Sequence, residues 1–241
     1  MKKLSVMFGI ILLCGANSFA ARPLSVEDAG VVEKGFEVEI SHSGNTAKKS
    51  LNHETGFVLN FALMKDIHLG FEKAFTTEVN KGSSNHIWGR GDTVIAAKYA
   101  LPNSQSLKLG VKIADGDDGN GFGDNFVEYV LVYAKEKEFS KTILYANMGY
   151  NFYDRMTNAG EVKNNGFIGL GLSHQVSGNF SFCGEALKTT NSGNDVEIFK
   201  GEVNSLIGFV WIIKDIPIDF SYVLSPDSED YNYSVGVTLG F

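Results

Sequence analysis

The chain has 241 residues, is 44% hydrophobic and 20% charged, and carries 27 Gly, 18 Phe and 9 Tyr but only 4 Pro. This composition excludes collagen-like, coiled-coil, disulfide-scaffold and wholly disordered chains, and a net charge of −7 argues against nucleic acid as a partner. A mean hydropathy of −0.04 argues against a helical membrane protein, but it is silent on strands that turn only one face to lipid.

The first residues read as an export signal. Met1-Lys2-Lys3 is basic, Leu4 to Cys14 is an almost unbroken apolar run, and Ser18 and Ala20 are the small residues of a cleavage site after Ala20. The run is too short for a membrane anchor, which needs about 18 apolar residues. Leu13 before Cys14 stands where a lipoprotein site wants a small residue. Cleavage removes Lys2, Lys3 and Cys14, which makes the mature chain more acidic and leaves Cys183 alone, so no intramolecular disulfide forms. Such an exported chain rests on core burial, oligomerisation or a membrane.

From Ala21 onward the sequence shows no helical period. Apolar and polar residues alternate instead, over twelve segments: 35–43, 55–64, 67–77, 91–101, 105–114, 125–135, 141–153, 164–175, 179–189, 197–213, 216–225 and 231–241. The last is the clearest, with Tyr231, Tyr233, Val235, Val237, Leu239 and Phe241 against Asn232, Ser234, Gly236, Thr238 and Gly240. The lengths suit tilted membrane-crossing strands, which need about 9–11 residues.

The connections sort by length. After the even segments they are tight: Lys65-Asp66, Pro102-Asn103, Lys137-Glu138, Ser177-Gly178 and Lys214-Asp215. After the odd ones they are long and polar, as over 44–54, 78–90 and 115–124. Alternating short turns and long loops predict a closed antiparallel up-and-down transmembrane β-barrel with periplasmic termini. Such a sheet has to close, because open edges cannot be satisfied in lipid.

Strand direction then sorts the aromatics into two girdles. Phe57, Phe75, Tyr150, Phe152, Phe167, Tyr222, Tyr231 and Tyr233 fall near the outer rim. Phe36, Tyr99, Tyr133, Phe180, Phe182, Trp211 and Phe241 fall near the inner rim. By parity the lumen receives Glu37, Glu39, His68, Glu72, Asp92, Lys98, Lys108, Lys112, Glu128, Glu185, Lys200, Glu202 and Asp219. Two places fit this pattern poorly. Lys73 has lipid-facing parity, which requires snorkelling or a bulge. Leu206 to Ile213 is nearly apolar on both faces, which predicts partial burial inside the lumen.

Several motifs invite chemistry and fall short of it. Asp115-Gly-Asp117-Asp118-Gly-Asn120 starts like a calcium loop, but Asn120 and Phe126 occupy the places where an EF-hand needs Gly and Glu. A solvated acidic loop is the plainer reading. Gly119 to Gly123 lacks the following helix that a nucleotide loop requires. His42 beside Ser41 and Ser43, and His174 beside Ser173, suggest a barrel lipase, but adjacent residues on a strand point to opposite faces. His53, His68 and His86 lack metal-ligand spacing. No catalytic residue, metal site or cofactor is assigned.

The closing run Tyr233, Val235, Val237, Leu239 and Phe241 looks like the signal read by the outer-membrane barrel assembly machinery. More of the chain resembles the MetA-pathway of phenol degradation family of outer-membrane transporters. The resemblance is carried by Arg22-Pro23-Leu24 with Glu27-Asp28-Ala29-Gly30, Gly91-Asp92 with Lys98-Tyr99, and Leu109-Gly110-Val111-Lys112. It continues through Ala146-Asn147-Met148-Gly149-Tyr150, Gly184-Glu185 and Gly236 to Phe241. The loop after the fifth segment departs from that pattern in having no proline. The family implies an outer-membrane channel for small compounds, hydrophobic or aromatic ones among them. The partners to expect are membrane lipid, lipopolysaccharide, the assembly machinery and a small solute.

Two alternatives remain beside passive transport: a lipid- or lipopolysaccharide-modifying enzyme, and a plugged structural or adhesive barrel. Twelve strands lie between the side-chain-filled eight-stranded barrels and the open sixteen-stranded ones. The lumenal charges therefore read equally as a ladder that tunes passage or as an ion-pair lattice that fills the lumen.

Overall fold

The computed structural model describes residues 29–32, 34–46, 50–80, 86–117, 122–123, 126–153, 156–157, 160–161, 164–189, 203–224 and 231–241. The expected signal peptide, Lys200, Glu202 and the side chain of Tyr231 lie outside them.

Among the described residues fourteen strands follow one another: β1 (Phe36–Thr46), β2 (Ser50–Met64), β3 (Ile67–Asn80), β4 (His86–Leu101), β5 (Gln105–Ile113), β6 (Glu128–Phe139), β7 (Thr142–Tyr153), β8 (Met156–Thr157), β9 (Gly160–Glu161), β10 (Asn165–Ser177), β11 (Phe180–Thr189), β12 (Val203–Ile213), β13 (Ile216–Leu224) and β14 (Tyr231–Gly240). Twelve close a barrel in the order β1-β14-β13-β12-β11-β10-β7-β6-β5-β4-β3-β2, while β8 and β9 pair with each other in the connection between β7 and β10. Every pairing is antiparallel, and closure runs from Glu37↔Gly240 to Thr46↔Tyr231. All twelve predicted segments are strands of this barrel.

The predicted boundaries need correction at both ends. Several loops of the sequence reading are shorter than expected: β1 and β2 remain paired out to Thr46↔Leu51, and β2 and β3 out to Ser50↔Asn80. A ladder that rises above the lipid no longer needs an apolar face, so the alternation fades while the pairing continues. Lys137 and Glu138 are not a turn but belong to β6, and the reversal falls at Ser140-Lys141, with Ser140 at φ 55. Ser177 likewise ends β10. The turn at Lys214-Asp215 is as expected. Both residues have positive φ, 51 and 66, and they join Ile213 to Ile216 as a two-residue hairpin loop.

The surface is inverted relative to a soluble domain. On β7 and β10 the outward Met148 and Leu170 are 57% and 61% exposed, while inward polar groups such as Lys98 on β4 are at 2%. In water this arrangement would forfeit the burial of apolar area that drives folding; against hydrocarbon it satisfies both faces. Outward aromatics meet in rows, Phe57 against Phe75 and Phe75 against Trp88 towards the loop side, Phe180 against Phe209 and Phe209 against Phe220 towards the turn side. Phe167 leaves the expected outer girdle. It sits on the inward face of β10, and its ring covers Gly149 so closely that a Cβ there would stand 2.2 Å from it.

Lys73 sits beside a bulge, as its parity demanded. The β3–β4 register shifts between Lys73 and Phe75, where Gly91 and Asp92 together oppose Ala74. Its ammonium is met by Thr93 Oγ1 and Asp115 Oδ1, each at 3.0 Å.

Candidate functional site: the lumen

The inward residues fall into two zones along the barrel axis. In the half nearest the short turns they are packed. Glu37 and Glu39 on β1, Lys98 on β4, Ser106 on β5, Glu185 on β11, Asp219 and Ser221 on β13 and Thr238 on β14 are all buried. Buried charges persist only where opposite charges and hydrogen bonds compensate their lost hydration. Cationic Lys98 stands next to Lys108 in the β4–β5 register, whereas β1, β11 and β13 contribute carboxylates. Among the buried charges, the cation and the carboxylates thus stand on different arcs of the wall.

A small apolar cluster fills part of the same half. Tyr145 on β7, Cys183 on β11 and Leu206 on β12 are buried together, with Ile143, Val210 and Val223 packed against them. Between β7 and β11, β10 faces inward with Gly169 and Gly171, which leaves room for the neighbouring side chains. This is the inward burial that the two-sided apolar run Leu206 to Ile213 predicted. Asn60 and Asn147 are also buried inward, and neither they nor Tyr145 was singled out from the sequence. The period-two alternation of Tyr145 and Asn147 with Leu144, Ala146 and Met148 was the signal that could have found them.

Towards the loops the described inward residues are less deeply buried. Glu72 on β3 is exposed although its parity is inward. Two strands away, across Val94 of β4, Lys112 pairs with Glu128 at 2.9 Å and lies 5.0 Å from the ring centroid of Phe126. Phe126 in turn meets Tyr153 edge-on, and the Tyr153 hydroxyl accepts from Asn165 Nδ2 at 3.1 Å. The described inner wall thus carries a buried charged layer towards the short turns and less buried ionic and aromatic groups towards the loops.

Glu72, Lys98, Lys108, Lys112, Glu128, Glu185 and Asp219 stand on the inward-parity faces of their strands. Asp92 needs a correction: it lies in the β4 bulge and accepts from Gly116 N–H at 2.9 Å, so it belongs to the packing of the β5–β6 loop. Lys200 and Glu202 fall outside the described residues. Val235, Val237, Leu239 and Tyr233 face outward on β14. Phe241 stacks on Phe36 at 4.7 Å, and the two exchange backbone hydrogen bonds of 2.8 and 3.1 Å that finish the closure.

The acidic loop is an internal clamp. Asp115 accepts from Thr93 N–H and Thr93 Oγ1 at 2.8 Å each, and Asp117 accepts from Arg90 N–H at 2.9 Å and from its guanidinium at 3.1 Å. Partial burial pushes the Asp115 carboxyl up, but the hydrogen bonds from Thr93 and Lys73 outweigh it and hold it below the ordinary range. The Arg90 backbone and side-chain bonds hold Asp117 low as well. Both carboxylates are committed to cations of the wall. Among the described residues no cluster of three or more potential metal ligands occurs, and Asp118 and Asn120 lie outside those residues.

The two Ser/His pairs separate across the wall, as alternation requires. His42 faces outward, 3.2 Å from Thr55 Oγ1 and stacked on His53 at 5.4 Å. His174 lies 2.8 Å from Thr142 Oγ1, whereas Ser173 turns inward to accept from Cys183 Sγ.

No family model matches the chain, and no curated protein matches it in sequence. Solved structures do resemble it. An outer membrane channel from Pseudomonas putida F1 aligns with a TM-score of 0.69 at 12% identity, covering 90% of this chain and all of that one. The NanC porin aligns at 0.59 and 8% identity over 85% of this chain and all of its own. The CymD monoaromatic hydrocarbon channel aligns at 0.51 and 9% identity over 87% and 89%. At such identities the likeness is one of fold: the chain is a closed twelve-stranded antiparallel barrel of the architecture found in outer-membrane channels and porins.

Proposed function

We propose that the protein is an outer-membrane channel through which small solutes diffuse passively, without covalent chemistry. The observation that carries this reading is the inverted barrel: an apolar outer wall around an inner wall of charges. Exposed Glu72 and the Lys112–Glu128 pair meet the solute first, and the buried layer around Lys98 then sets size and charge preference. Hydrophobic or aromatic compounds are the substrate class suggested by the family resemblance, and one neighbour of the same fold is titled a monoaromatic hydrocarbon channel. Lipid and lipopolysaccharide surround such a barrel, and the assembly machinery inserts it after export and cleavage of the signal peptide.

The test is conductance of the purified mature protein in planar bilayers. Discrete current steps support the channel, and a barrel that stays silent under all voltages and solutes overturns it. The packed periplasmic half favours one second reading, a barrel closed at rest. The separation of His42 and His174 from the serines beside them leaves the lipase reading without a nucleophile–base pair at those sites.

A further inference from the structure

Residues 29–32 enter the barrel. The Ala29 N–H donates to Glu136 Oε2 at 3.4 Å, and the Val32 N–H donates to His68 Nδ1 at 3.0 Å. Both acceptors lie on the inward face near the periplasmic turns: His68 is the second residue of β3, and Glu136 is four residues before the turn that ends β6. Ala29 is 5% exposed, so this stretch is covered by the wall around it.

The route starts at a hinge that only glycine can form. Gly35 has φ +74, and a Cβ there would stand 1.8 Å from the Phe241 carbonyl oxygen. Its own carbonyl accepts from Ala62 N–H at 3.0 Å, and Phe36 N–H next to it bonds to Phe241. The seam of β1, β2 and β14 therefore fixes the point where the chain leaves the wall. From there it reaches β3 and then β6, which stands five strands round from β1 in a ring of twelve. Six residues reach at most about 20 Å, and the Ala29 bond to Glu136 marks how far round the wall the stretch arrives.

We infer that this N-terminal stretch is a strap across the periplasmic mouth, held by two side-chain acceptors and released when they are lost. It forms the floor beneath the buried layer around Lys98, because Lys98 neighbours His68 in the β3–β4 register. The bond from Val32 requires an unprotonated Nδ1, so neutral His68 carries its proton on Nε2. Both tethers are hydrogen bonds from backbone amides of the stretch to side chains of the wall. A strap tethered through side chains opens and closes, whereas β1 is paired along its length to β2 and β14 and does not.

The inference rests on the channel reading, and the experiment separates the two. The full mature chain carrying His68→Ala with Glu136→Gln is compared with the parent in planar bilayers. A second protein carries Ala29→Cys with Glu136→Cys, bridged by a short bifunctional maleimide; native Cys183 is fully buried and does not compete. Loss of both tethers is expected to raise the open-state current severalfold, and bridging to lower it below that of the unbridged protein. Current that ignores both the tether variant and the bridge overturns the strap while leaving the channel standing. Silence in every state, the untethered one included, overturns both. Each variant is first shown to run as a heat-modifiable band, which separates gating from failure to fold.

Discussion

Asp219 lies across Gly236. The two are register partners on β13 and β14, and a Cβ on Gly236 would stand 2.6 and 2.8 Å from the two carboxylate oxygens. The glycine is the space into which a buried charge folds against the wall.

Gly236→Ala is therefore expected to displace Asp219 and to cost about 1–3 kcal/mol, the usual range for overpacking. The temperature at which the folded, heat-modifiable band is lost should fall. Asp219→Gly in the same background should recover most of it. Equal losses in the single and double variants would show that the carboxylate is not what the new methyl meets.

The charges of the two zones are expected to act on selectivity in opposite senses. Lys98→Gln removes a cation from the packed layer, so reversal potentials in a salt gradient should move towards cation preference. Glu72→Gln removes an anion from the loop side of the inner wall and should move them towards anion preference, by less because the site is open to water and screened. Unchanged reversal potentials for Lys98→Gln would mean that ions do not pass that layer.

Acid should release the β5–β6 loop. Asp115 and Asp117 are both held below the ordinary carboxylate range. The stability they add is thus fully present above the unfolded-state value of about 4 and is lost as pH falls through the lower folded-state values. The amides of Thr93 and Arg90, which donate to these carboxylates, should lose protection from hydrogen exchange in that window, after correction for intrinsic rates. Asp115→Asn should loosen Thr93 already at neutral pH. Protection that persists below pH 3 would show that the ion pairs do not hold the loop.

Tyr145 and Leu206 should be both stabilising and obstructive. Truncating either to Ala leaves a void in the cluster inside the barrel and is expected to cost about 2–5 kcal/mol if the void stays dry. In the channel reading, water fills part of it instead, so the stability loss is smaller and single-channel current rises. A large loss with unchanged current would place the cluster away from the solute path.

Much of the barrel was legible in the chain because period two records two environments directly. The inward charges, the bulge beside Lys73 and the inward burial of Leu206 and Val210 all follow from parity along one strand. Phe167 was misplaced because an aromatic on the lumen side looks the same in sequence as one in a girdle. Its partner Gly149 stands on another strand, and only the register Phe167↔Gly149 brings them together. The outer strand ends were read short because hydrogen bonding continues where hydrophobic contrast stops.

The amino-acid sequence by itself determined the number of barrel strands, the face of most residues on them and the need for closure, since each follows from local alternation and from the cost of unpaired backbone in lipid. Only the tertiary structure decided what those faces meet. Register set Lys98 beside Lys108, folded Asp219 over Gly236 and engaged the acidic loop with Arg90 and Lys73. Closure carried residues 29–32 to within reach of His68 and Glu136. These contacts join residues remote in the chain, and the shape of the closed ring fixes the distances between them.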